Sequence, residues 1–69
     1  MHKYEIVIFW SNEDQFFVAE VSELAGCLAH GKTQSEALEN VHEAIELWIE
    51  TATEFGDKIP QPKRHLIAA

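Results

Sequence analysis

Strand-forming side chains crowd residues 3–11, where Tyr4, Ile6, Val7, Ile8, Phe9 and Trp10 stand almost in succession. Such a run of β-branched and aromatic residues predicts a strand. Asn12, Glu13 and Asp14 interrupt it with side chains suited to bonding the backbone of a turn, and the apolar pattern resumes over 16–21. Two such runs across a short polar break predict an antiparallel hairpin. Alternation sends Tyr4, Ile6, Ile8 and Trp10 to one side of the first strand, and Val7 and Phe9, with Lys3 and Glu5, to the other. On the second strand Phe17, Ala19 and Val21 oppose Phe16, Val18 and Glu20. Cys27-Leu28-Ala29-His30 predicts a shorter third strand between Gly26 and Gly31. Glycines there are expected where a side chain would clash or where φ is positive.

The period then changes from two to between three and four. Thr33-Gln34-Ser35-Glu36 has the form of a capping box, in which the Thr33 hydroxyl accepts from the Glu36 amide and Glu36 reaches back. Leu38, Val41, Ala44, Ile45, Trp48, Ile49, Ala52 and Phe55 follow at helical spacing and predict one apolar stripe. Gly56 stands where a helix C′ residue belongs, and Pro60 prevents continuation. Residues 59–62 should be extended, and 63–67 have the composition for a final short strand. The class is α+β, in the order βββα: a three-stranded antiparallel sheet packed on one long helix, the whole of 1–69 reading as a single domain.

That architecture leaves one side of the sheet without cover. Each face of the hairpin carries large apolar groups, and a single amphipathic helix shelters only one of them. Val7, Phe9, Phe16 and Val18 on the other face would be wet in a monomer, and an exposed patch of this kind predicts self-association. Size points the same way. For 69 residues, apolar burial contributes roughly 105 kcal/mol against roughly 104 kcal/mol of ordering entropy, so an isolated fold is marginal. Cys27 is the one cysteine, which excludes an intrachain disulfide as the remedy.

Charge narrows the choice of partners. Twelve acidic residues against five basic ones give a formal net charge of -7, with a pI near 4.8. Nucleic-acid binding needs clustered Lys and Arg, and only Lys58, Lys63 and Arg64 come near to that. The predicted helix carries Glu36, Glu39, Glu43, Glu46, Glu50 and Glu54 on the side away from its apolar stripe, with no Lys or Arg among them. These glutamates form either a solvated face or an electrostatic landing strip for a cationic protein.

The remaining chemistry is sparse. Cys27, His30, His42, His2 and His65 contain no close pair of the sort zinc sites use, and on a strand Cys27 and His30 would point to opposite faces. A Cys-His nucleophile would need an orienting third group and a water-excluding pocket, for which so short a chain has little room. No cofactor, metal or catalytic residue is expected. The apolar runs are too short to span a membrane. A start of Met1-His2-Lys3-Tyr4-Glu5 is unlike a signal peptide, and with a free thiol it suggests the cytoplasm.

One combination is more specific than any single motif. Leu24-Ala25-Gly26-Cys27-Leu28-Ala29-His30-Gly31-Lys32-Thr33 follows the hairpin, then Ser35-Glu36-Ala37-Leu38-Glu39-Asn40-Val41, Glu43-Ala44-Ile45 and finally Ile59-Pro60-Gln61-Pro62. In this order and spacing the chain resembles the HicB-like antitoxins of type II toxin–antitoxin systems, over nearly its whole length. The resemblance implies a truncated ribonuclease-H-like fold without catalysis. It also implies a partner, a small basic HicA-like toxin that cleaves mRNA, held through steric and electrostatic occlusion. Glu39, Glu43, Glu46 and Glu50 are then the expected toxin-facing charges. Longer members append a DNA-binding domain, and nothing after Ile67 resembles one. Val21-Ser22-Glu23 and Lys32 stand where the family often has a proline and acidic residues. The other reading of the same pattern is an oligomeric binding domain with no toxin, for a protein or small ligand.

Overall fold

The computed structural model describes residues 3–62. Strands β1 (Val7–Ser11), β2 (Phe16–Glu20) and β3 (Leu28–Gly31) form an antiparallel sheet in the order β1-β2-β3, followed by helix α1 (Gln34–Glu54). The predicted strand over 63–67 lies outside the described residues.

Register fixes which side chains share a face, because residues directly opposite in an antiparallel pair point the same way. Ile8 pairs with Ala19 and Ala19 with Ala29, while Trp10 pairs with Phe17 and Phe17 with Gly31. This is the side covered by α1, and Ala19 is fully buried there. Val7 pairs with Glu20 and Glu20 with Leu28, while Phe9 pairs with Val18 and Val18 with His30. Those residues make up the opposite face.

The hairpin turn is wider than Asn12-Glu13-Asp14. Gln15 joins it with φ +61, its amide donating to the Ser11 carbonyl at 2.8 Å. The Ser11 hydroxyl accepts from the Asp14 amide and donates to its carboxylate, which anchors the bend. Between β2 and β3 the Cys27 amide donates to the Leu24 carbonyl at 2.9 Å with Gly26 at φ +75. This arrangement is a turn that wants glycine in its third position.

Helix α1 begins as its sequence predicts, with one difference. The Thr33 hydroxyl accepts from the Glu36 amide at 3.0 Å, but the Glu36 carboxylate accepts from Lys32, one residue before the cap, at 3.1 Å. At the other end Gly56 donates to Thr53 and Asp57 to Ala52, with Gly56 at φ +74. These two bonds are the Schellman arrangement that closes a helix.

The buried stripe differs from the predicted one at its margins. Ala37, Val41, Ile45 and Ala52 are its buried members, with Ala44, Trp48 and Ile49 packed beside them. Leu38 is 37% exposed and Phe55 75% exposed, so neither is core. The start of α1 lies close against Gly31, with Ala37 fully buried there and Leu38 on the flank. Phe55 fails for a reason of length. Twenty-one helical residues span about 31 Å, whereas a five-residue strand spans about 17 Å. The helix therefore overhangs the sheet. Its later turns meet the β2–β3 connection, where Trp48 reaches the Ala25 carbonyl. Val21, Leu24 and Cys27 of that connection belong to the core, with Tyr4 and Ile6 from ahead of β1 packed against it. Tyr4 donates its hydroxyl to the Pro60 carbonyl, tying the segment after α1 to the start of the chain.

Candidate functional site

Three surfaces leave the core with something to offer a partner. The first is the uncovered face of the sheet. Val7, Phe9, Phe16 and Val18 share it, as their alternation predicts, with Val7 48% and Phe9 44% exposed. Leu28 and His30 extend the same face from β3, two contributors that the sequence reading missed although their alternation with Ala29 signals it. Phe16 lies against His30 with ring centroids 4.5 Å apart. Glu20 stands within this face, opposite both Val7 and Leu28.

The second surface is the outer side of α1. Glu39, Glu43, Glu46 and Glu50 are all exposed and recur at steps of four, three and four, so they align along the helix away from the buried stripe. Glu36 is turned toward the Lys32 amide and takes part in the cap instead. No basic residue lies in the last turn of α1.

The third surface follows from the overhang. Between the later turns of α1 and the start of β3 runs an open groove of about 440 Å³, lined mainly by Cys27, Leu28, Ala44, Leu47, Trp48 and Ala52. Leu47 is 65% exposed and stands at its rim, while Leu28, whose side chain belongs to the open face of the sheet, borders it from the start of β3. The indole N–H of Trp48 donates to the Ala25 carbonyl at 2.9 Å, which locks the β2–β3 turn to the helix and shapes the groove.

Cys27 is turned into the core and only 4% exposed, and burial pushes its thiol above the usual cysteine range, disfavouring the thiolate. His30 lies on the opposite, exposed face of the sheet. Among the described residues no three His, Cys, Asp or Glu side chains gather in a way that could hold a metal ion. No helix among them is long and apolar enough to cross a membrane.

Comparison with known proteins adds a decisive observation. Residues 4–67 match a family described as HicB-like antitoxin of bacterial toxin-antitoxin system. The chain belongs to the HicB-like antitoxin family. Among its relatives, a UPF0150 protein of Thermoplasma acidophilum is 42% identical over 59 residues, covering 86% of this chain and 84% of that one. A UPF0150 protein of Synechocystis is 46% identical over 57 residues, covering 83% and 77%. A third, from Archaeoglobus fulgidus, is 40% identical over 55 residues, covering 80% and 78%. No solved structure matches the chain significantly. For this HicB-like chain the family points to a toxin–antitoxin role and away from catalysis.

Proposed function

We propose that the chain neutralises a small basic HicA-like ribonuclease by covering its RNA-binding surface, and does so as a self-associated particle. The observation that carries this reading is the acidic outer side of α1, uninterrupted by Lys or Arg from Gln34 to Glu54. Like charges at helical spacing repel, each pair destabilising the helix by about 0.2–0.5 kcal/mol. A cationic partner converts that repulsion into attraction and speeds encounter. The family supports the choice of a toxin as the partner. Glu39, Glu43, Glu46 and Glu50 are the proposed contacts, and Val7, Phe9, Phe16 and Val18 the proposed seam between copies.

Coexpression with the product of a short, basic reading frame beside the gene tests the proposal. That product alone should arrest growth and degrade mRNA, and this chain should restore growth. Replacing Glu39, Glu43, Glu46 and Glu50 together by Gln should weaken the complex at least about tenfold at low salt, since each lost charge contact contributes a few tenths of a kcal/mol or more. Binding by the wild type should fall as the Debye length shrinks from about 10 Å at 0.1 M salt to about 3 Å at 1 M. Unchanged rescue by the four-fold variant would refute the electrostatic mechanism.

A further inference from the structure

The groove beside α1 carries more than the acidic ridge does alone. We propose that it seats one large apolar side chain, aromatic or long aliphatic, projecting from a basic protein partner. The inference takes the partner's identity and the acidic ridge from the antitoxin reading and adds the apolar residues of the groove. The groove's volume of about 440 Å³ is nearly three times the ~150 Å³ apolar cavity that accommodates a benzene ring. One ring and the backbone bearing it fit within that space. Its lining is mainly apolar, with Leu47 exposed at the rim and Ala44, Trp48 and Ala52 behind it.

Charge selects the occupant. Steps along α1 place Glu43, Glu50 and Glu54 on the flank next to Leu47, so the acidic ridge borders the groove. Asp57 lines the groove's far end. A buried apolar anchor bordered by a polar rim is how binding energy concentrates at protein interfaces. A second copy of this chain would bring its own glutamates against these, and like charges juxtaposed at an interface oppose docking. A free apolar small molecule would remain wet along the open side, whereas small-molecule sites enclose most of their ligand. A lysine- and arginine-bearing protein satisfies both the ridge and the groove.

The test uses the full chain, isotope-labelled for NMR, and two synthetic lysine-rich peptides that differ at one central position, phenylalanine in one and glycine in the other. Both peptides should shift the amides of Glu43 and Glu50. Only the phenylalanine peptide should shift the methyls of Ala44 and Leu47 and the indole N–H of Trp48. Leu47→Gln should bring affinity for the phenylalanine peptide down about tenfold, to that of its glycine twin. Leu47 is mostly exposed, so this substitution spares the core, and Thr51→Trp, which fills the groove from an exposed lining position, provides a second, independent variant. Equal shifts in the groove from both peptides would overturn the proposal, as would wild-type affinity in both variants. A basic toxin captured equally well by Leu47→Gln would discard the groove and leave the antitoxin reading standing. Groove shifts in a chain that captures no toxin would support the groove and retire that reading alone.

Discussion

Gly31 decides how closely the helix meets the sheet. A Cβ built there would lie 2.5 Å from the Ala37 amide nitrogen and 2.8 Å from the Glu36 carbonyl carbon, both backbone atoms that cannot swing aside. Gly31→Ala should therefore push the start of α1 outward and destabilise the fold by about 1–3 kcal/mol, read as a lower midpoint in urea unfolding. Overpacking of this kind differs from what Gly26 would suffer, where φ is +75 and no atom waits within 4 Å. From sequence both glycines promise either a clash or a positive φ, and only the packed helix distinguishes the two. Cys27 shows the same divide. Its spacing from His30 correctly separates the two side chains, but that Cys27 belongs to the core depends on the β2–β3 turn folding beneath α1.

Local chemistry made the elements readable wherever a few neighbouring residues decide the outcome. The capping box is one such case, and it supports a clean prediction. Thr33→Ala removes the acceptor of the Glu36 amide and should cost about 1 kcal/mol, with an unchanged denaturant slope because the surface exposed on unfolding is the same. An altered slope would mean that the cap organises more than the first turn. The Schellman closure at Gly56 is equally local and equally legible. Three features were not. Gln15 adopts φ +61, a conformation uncommon outside glycine, because the Ser11 and Asp14 side chains hold the bend around it. Phe55 fits the helical period yet lies beyond the sheet, since period says nothing of where the opposing surface ends. The groove is invisible for that same reason: it exists only because α1 is longer than the strands beneath it.

In the whole molecule, the sheet's open face and the acidic side of α1 lie on opposite sides of the core, and they should answer salt in opposite directions. Val7, Phe9 and Leu28 are exposed on the open face and Phe16 and Val18 half-buried beside them, with His30 and Glu20 on the same face. Two copies meeting there gain apolar burial but bring together net charges of -7 each. Screening relieves that repulsion, so self-association should strengthen as salt rises, while capture of a cationic partner weakens. Light scattering on the wild type at micromolar concentration should give a mass above the 7.9 kDa of one chain, rising with ionic strength. Phe9→Glu inserts a charge opposite Val18 and should yield monomers, since an unpaired carboxylate buried between copies is strongly unfavourable. Phe9 is half-exposed in the single chain, so circular dichroism should stay native and the phenylalanine peptide should still bind at the groove. A wild type that remains a 7.9 kDa monomer at every salt concentration would show that this face serves no second copy. A Phe9→Glu variant that loses the peptide as well would show that the two surfaces are not independent.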